Sequence, residues 1–302
     1  MYYSILFFSL FSLFSCEDPN TTTMAQASDY ALDKPSKVLE LDLELQEISG
    51  LSFSQDYSTL SCINDELGYL YLLSPTTGEI VRKIEFNKPG DYEGVEVIGN
   101  TAVVMKNSGT LYFIEDYTSS EANITKYNTE LNDDNDLEGL AFDANKNQLL
   151  LACKANGFIE GQEKNKKIRS IFPFDLKSKT LLMDERLEMH QSSFYTYVQN
   201  HADHPQYDKW IKRFDPSTKE LEFYPSAIAI HPKSKEYYIL SSSGKMLAVF
   251  NPSFKLKELY KLDKNIFPQP EGICFDNKNN LYISSEGKEG FGRILRFDTK
   301  AK

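Results

Sequence analysis

The chain is poor in the residues that carry much of enzyme chemistry: four histidines, four cysteines and one tryptophan among 302 residues. So few cysteines exclude a disulfide scaffold, and none stands in the paired spacing of a zinc site. Basic charge is also short, with 33 Lys and Arg against 44 Asp and Glu, a formal net charge of −11 and a pI near 5.0. Without a basic stripe interleaved with aromatics, nucleic acid is not expected as a partner. The one basic cluster, Lys164, Lys166, Lys167 and Arg169, reads as the solvated face of a hairpin loop rather than a phosphate site. No Gly-x-Ser-x-Gly elbow, P-loop or dinucleotide fingerprint occurs. After residue 16 no apolar run is long enough to span a bilayer, which excludes a helical transporter.

What is present begins with residues 1–16, an apolar, Phe- and Leu-rich run placed where a secretory signal sits and too short to cross a membrane. Leu13-Phe14-Ser15-Cys16 resembles a bacterial lipobox, with Cys16 as the lipidated residue, although Phe14 is bulky for that motif and no Lys or Arg precedes the run. An ordinary cleaved signal is the other reading. Glu17 and Asp18 resemble the acidic export signal of surface-exposed outer-membrane lipoproteins. Residues 17–36 are polar and aperiodic and read as a flexible tether. Together these predict a monomeric domain at the bacterial cell envelope, an outer-membrane lipoprotein that meets the membrane through its lipid alone, facing either the periplasm or the outside.

The rest of the chain is a repeat. Glu47-Ile48-Ser49-Gly50-Leu51, Tyr92-Glu93-Gly94-Val95, Leu137-Glu138-Gly139-Leu140 and Pro270-Glu271-Gly272-Ile273 share one phrase, and Pro225-Ser226-Ala227-Ile228 is a weaker copy. Counted on Glu47, Glu93, Glu138, Ser226 and Glu271, the steps are 46, 45, 88 and 45 residues. That is the length of a four-stranded propeller blade, with one interval nearly doubled. Each phrase is followed by apolar runs bounded by turn residues, such as Leu149-Leu150-Leu151 and Leu281-Tyr282-Ile283, which read as strands. The last unit stops after its third strand at Phe297, while Val38 to Leu43 stands alone before the first unit. These features predict an all-β fold over residues 37–302, a single β-propeller whose ring is closed by the N-terminal strand.

Five blades are favoured, six being the alternative, because the long interval can hold either an insertion or a degenerate blade. Lys166–Leu176 and Thr180–Leu187 can complete the third blade, leaving a partly helical insertion near 188–222 with a short helix over Tyr207–Phe214 after Pro205. Its Phe194, Tyr195, Tyr197, Tyr207, Trp210 and Phe214 suit either an interface or packing onto the blades. Cys62, Cys153 and Cys274 fall inside strand runs and read as buried thiols, while a Cys62–Cys274 bridge would require the first and last blades to be neighbours.

Inner strands line the channel of a propeller, so Glu47, Glu93, Glu138 and Glu271 are expected to converge at its mouth, with Ser226 breaking the ring. The second strand of each blade ends at the same face and brings Asp65, Lys106, Asn107, Lys154 and Glu286 to it. Crowded carboxylates raise one another's pKa or recruit a cation, and an all-oxygen set suits Ca²⁺. Lys106 and Lys154 offer the other answer, direct neutralisation with no metal. A third reading is purely structural: Gly lets the backbones pack near the axis while Glu accepts neighbouring amides. The run Asn132-Asp133-Asp134-Asn135-Asp136 lacks the Gly and distal Glu of an EF-hand and reads as a solvated turn.

The series Asp91-Tyr92-Glu93-Gly94-Val95-Glu96, Asp136-Leu137-Glu138-Gly139-Leu140-Ala141, Pro225-Ser226-Ala227-Ile228-Ala229 and Pro270-Glu271-Gly272-Ile273-Cys274 resembles the SdiA-regulated (YjiK-like) propeller family over nearly all of residues 38–298. The resemblance implies the fold and an envelope location but no reaction. It extends in architecture to NHL-type propellers and more remotely to calcium-dependent phytases, paraoxonases and gluconolactonases. Two functions follow as expectations. The first is a binding module for a protein, glycan or small molecule, with Ca²⁺ at the channel mouth. The second is a Ca²⁺-dependent hydrolase of esters, lactones or phosphate esters, which needs a base such as His190, His201, His204 or His231 near the metal.

Overall fold

The computed structural model describes residues 29–159, 161–288 and 290–300, so the expected signal segment and lipidation site Cys16 lie outside the described residues. The alternating apolar runs form five antiparallel sheets arranged as a five-bladed propeller. A first strand, β1 (Lys37–Glu40), precedes the blades. Blade one is β2 (Ile48–Phe53), β3 (Leu60–Asn64), β4 (Tyr69–Leu73) and β5 (Ile80–Glu85). Blade two is β6 (Tyr92–Ile98), β7 (Thr101–Lys106), β8 (Thr110–Glu115) and β9 (Asn123–Asn128). Blade three is β10 (Leu137–Asp143), β11 (Gln148–Cys153), β12 (Ile168–Asp175), β13 (Thr180–Leu181) and β14 (Leu187–His190). The helices α1 (Gln191–Gln199) and α2 (Tyr207–Arg213) follow. Blade four is β15 (Ala227–Ile230), β16 (Tyr237–Ser241), β17 (Met246–Phe250) and β18 (Leu256–Lys261). Blade five is β19 (Pro270–Phe275), β20 (Leu281–Ser285) and β21 (Arg293–Phe297) with β1 as its outer strand.

The burial pattern explains the sequence pattern. Inner and middle strands are covered by blades on both sides and are almost wholly buried, as in β3, β11, β16 and β20, and strands covered on both faces become continuous apolar runs. Outer strands such as β9 alternate with solvent and carry Lys, Asn and Thr. Five apolar layers result, one between each pair of neighbouring blades. Each inner strand touches the next, and β19 touches β2, so the ring is complete. Cys62 and Cys274 share the layer between blades five and one, yet all three described cysteines are buried free thiols.

The doubled interval is an insertion. The outer edge of β12 pairs with β13 at one end, Phe174 with Leu181, and with β14 at the other, Ile171 with Leu187. A 3-10 turn at Met183–Glu185 separates the two pieces. In α1, buried Gln191, Phe194 and Val198 recur at helical spacing, while α2 carries Asp208 in its first turn and Lys212 and Arg213 in its last, matching the helix dipole. Phe194, Trp210 and Phe214 are buried in the layer between blades three and four, with Tyr195, Tyr197 and Tyr207 partly buried against it. The aromatics of the insertion therefore pack onto the blades, three of them fully and three in part.

Ring closure follows the sequence expectation, with Val38 opposite Leu295 and Leu39 opposite Ile294. The tether differs in its last residues: Tyr30 is fully buried and Leu32 nearly so, in the layer between blades four and five. The Tyr30 hydroxyl donates to Asn279 O at 2.7 Å and meets His231 Nε2 at 3.1 Å. One buried tyrosine in a polar stretch is enough to dock that stretch, which composition alone reads as loose. A chain lacking residues 29–40 should lose the burial of Leu32 and Leu39, about 3–6 kcal/mol, and expose β21 as a free edge. Calorimetry should show a lower melting temperature for it, and size-exclusion chromatography should show aggregation.

Candidate functional site: the channel mouth

The axial ring is built by a repeated backbone irregularity. In blade two Tyr92 pairs with Lys106 and Gly94 with Met105, leaving Glu93 as the extra residue of a β-bulge. Glu138 and Glu271 occupy the same place between Leu137 and Gly139 and between Pro270 and Gly272. A bulge turns its extra side chain out of the ladder, and here it turns three carboxylates toward the axis, where they line one cavity. The following Gly is required by packing: a Cβ on Gly94 would lie 2.7 Å from Leu140 Cβ, and one on Gly272 2.8 Å from Gly50 C.

Strand pairing corrects one member of the predicted ring. Ile48 pairs with the last residue of its neighbour strand, as Tyr92 does, so Ser49, not Glu47, is the counterpart of Glu93. Ser49 Oγ donates to Glu93 O at 2.9 Å, and Ser226 Oγ donates to Pro270 O at 2.8 Å. Both serines are spent tying one inner strand to the next. Glu47 is exposed and lies outside the cavity lining, two residues before the ring. The shared glycine carried the correct alignment: Gly50, Gly94, Gly139 and Gly272 keep step, and aligning on the glutamates shifts blade one by two.

The remaining predicted residues surround this ring. Lys154 forms an ion pair with Glu138 and lies 4.0 Å from Asp136. Asn107 is engaged with Asp91 through its side-chain amide and its backbone N–H. Asp65 and Glu286 sit at the ends of the second strands of blades one and five, where Asp65 N donates to Glu47 O and Glu286 N to Gln269 O. Lys106 stands at the end of β7 and forms no ion pair with the ring carboxylates among the described residues.

Burial drives the electrostatics. It pushes Glu93 up to about 10, with the charge of Glu138 adding to it. Burial also lifts Glu138, but Lys154 pulls it back to about 7. Glu271 is raised well above the carboxylate range by burial and then by Glu138 and Glu286, and its Oε2 is buried without a hydrogen-bond partner. Burial and Asp65 bring Glu286 to about 7, while burial and Glu47 bring Asp65 to about 6. Near neutral pH the ring therefore favours protons on Glu93 and Glu271, and Glu138, paired with Lys154, is the member most readily ionised.

Several features escaped the sequence reading. Glu96 accepts from Ser52 Oγ, Val97 N and Phe142 N, the last two at 3.1 Å, and so joins the inner strands of three blades. The axial cavity amounts to about 10 Å³, room for a single water-sized sphere. Beside it opens a cleft of about 410 Å³ lined by Lys154, Lys164, Lys166, Arg169, Glu220 and Tyr224 among others. Arg169, expected on a solvated face, is only 2% exposed. The acidic run before β10 is likewise ordered: Asn135 is buried and donates to Asn156 O at 2.7 Å and Phe158 O at 3.0 Å.

No histidine lines the cavity or the cleft. His231 meets Tyr30, His204 packs at a tilt against Trp210, His201 stacks on Tyr197, and His190 pairs with Glu188. Among the described residues no three His, Cys, Asp or Glu side chains are placed to hold a metal ion, and no helix is long and apolar enough to cross a membrane.

A family model described as SdiA-regulated matches residues 23–185 and 209–291. The chain belongs to the SdiA-regulated family. The unmatched stretch between the two SdiA-regulated segments contains β14 and α1, so the insertion departs from the family pattern. No protein of curated function matches the sequence. Among solved structures the chain is similar to one titled "Streptogramin B lyase structure", at 14% identity and a TM-score of 0.46, over 88% of this chain and 73% of that one.

The raised carboxyl values fix the sign of a pH effect. Glu93 is protonated in the folded protein at pH values where the unfolded chain has already lost that proton, so its contribution is complete near pH 4 and falls as pH rises toward 10. Thermal unfolding should show stability declining from pH 5 to 9, and Glu93→Gln should flatten the decline and raise the melting temperature at pH 9. Glu96→Ala removes a carboxylate that serves three strands and should cost about 1–3 kcal/mol in urea unfolding.

Proposed function

We propose that the chain is a cell-envelope binding module that takes a small ligand on the mouth face of its propeller. The observation that carries this reading is the contrast on that face between an axial cavity of about 10 Å³ and an adjoining cleft of about 410 Å³. The first admits no ligand, while the second lies in the size range of small-molecule sites. In this reading the glutamate ring acts through its charge and protons at the rim, and Lys154 is shared between ring and cleft. The envelope location rests on the lipobox-like Leu13-Phe14-Ser15-Cys16, with the lipid on Cys16 as the membrane contact.

Ca²⁺ at the mouth is the second reading, supported by the unpartnered Oε2 of Glu271. The donor set fits it poorly. Ca²⁺ takes six to eight oxygens, yet Glu138 is held by Lys154 and no acidic trio is placed for a metal among the described residues. The hydrolase alternative additionally needs a base at the rim, and all four histidines are engaged elsewhere.

A thermal-shift screen of small molecules should give stabilising hits that Tyr224→Ala abolishes and Lys233→Ala, on the turn after β15 at the other end of the inner strand, leaves intact. Hits indifferent to Tyr224 would refute the mouth face as the binding face. Ca²⁺ added after EDTA should leave the melting temperature unchanged. A rise that Glu271→Gln removes would establish the cation reading instead. Cys16→Ser should move the protein from the membrane to the soluble fraction.

A further inference from the structure

Four cations line the cleft beside the channel mouth, and two are already matched. Lys154 is held by Glu138 and Asp136, and Lys164 pairs with Asp134 at 2.8 Å. Lys166 is exposed and has no ion-pair partner among the described residues.

Arg169 is the unusual one. It is buried at the start of β12, and backbone carbonyls fix its guanidinium: Nη1 donates to Lys166 O at 2.8 Å and Nη2 to Leu221 O at 2.9 Å. Its ring-stacking partner is Tyr224, 4.8 Å away. Among the described residues the carboxylate that pairs with it is Glu220, reached only by a loose 3.4 Å contact and itself 39% exposed. Nε is buried with no partner. A desolvated guanidinium with an unused N–H and a weakly held counter-charge is an incomplete ion pair, and desolvation makes that costly. Guanidinium groups complete themselves best with a planar or tetrahedral oxyanion that accepts two bonds.

Resting on the mouth face as the binding face, we propose that this cleft binds a small organic oxyanion, a carboxylate or phosphate monoester, which docks on Arg169 and Lys166 against Tyr224 and displaces Glu220. The displacement makes the proposal sharp, because it predicts one variant that binds better. Glu220→Gln removes the internal competitor, whereas Lys166→Glu installs a second one at an exposed position that the fold does not need.

The test is calorimetric titration of the full-length chain in detergent with phenyl phosphate and with benzoate, using benzamide as the neutral control. At least one anion should bind where benzamide does not, and the stronger of the two names the oxyanion class. Affinity should fall about tenfold or more in Lys166→Glu and rise several-fold in Glu220→Gln. Arg169→Lys should lose binding, and if that variant fails to fold, the opposed pair at 166 and 220 still decides. Anion binding that responds to neither exposed substitution, or no binding of either anion, would overturn the proposal. Neutral hits in the wider screen that Tyr224→Ala abolishes would at the same time keep the mouth face as the binding face, so the two failures are distinguishable.

Discussion

The structure depends on how closely five inner strands can approach one axis. Where neighbouring backbones meet, a methyl group is already too large: the sites beside Leu140 and beside Gly50 leave under 3.0 Å for a Cβ, and glycine fills them. The bulge that puts Glu93, Glu138 and Glu271 inward lies directly before these glycines. Carboxylates driven into a cavity of about 10 Å³ cannot all ionise, so protons and Lys154 settle the charge. Packing at the axis, position of the acids and their titration are thus one constraint expressed three times. The room for a ligand lies to the side, in the wider space over blade three, which is why the proposed binding is placed there.

Much of this was legible in the sequence because a propeller repeats its solution. The blade length, the Glu-Gly phrase and the orphan strand before Glu47 are local, periodic signals, and the five sheets with β1 closing the last follow them. What failed to show was aperiodic. Glu47 matches the repeated residue type but not the strand register, which the glycine that keeps step signals and the pairing of Ile48 with Asn64 fixes. The segment Gln191-Ser192-Ser193-Phe194-Tyr195-Thr196-Tyr197-Val198 is rich in residues that favour strands and still forms α1, because Phe194 and Val198 fill the layer beneath it. Tyr30 lies in a polar stretch of sequence and docks it, with Leu32, in the layer between blades four and five.

The cleft was the least legible part for a related reason. Lys164, Lys166, Lys167 and Arg169 are a basic run in a loop, and such runs are ordinarily solvated. Three of them follow that expectation. Arg169 alone turns inward because carbonyls of Lys166 and Leu221, from two different segments, wait for it. No pattern in one segment encodes a partner supplied by another 52 residues away. The same holds for Asn135, whose amide clasps the turn at Asn156 and Phe158 and so shapes the rim of the cleft.

The pairing of β1 with β21 has a kinetic side. Val38 is among the first residues of the domain to be synthesised and Leu295 among the last, yet they stand opposite each other in one sheet. The fifth blade therefore has no complete form until nearly the whole chain exists, and the loop it closes is about as long as the domain allows. Contacts of that separation are the slow ones in folding. During synthesis the first four blades can assemble in order while the N-terminal strand waits unpaired, and an unpaired strand is the surface on which chains join wrongly. Under the proposed envelope location, that delay is of use: a propeller that cannot close early remains a chain that can still be threaded through a translocon.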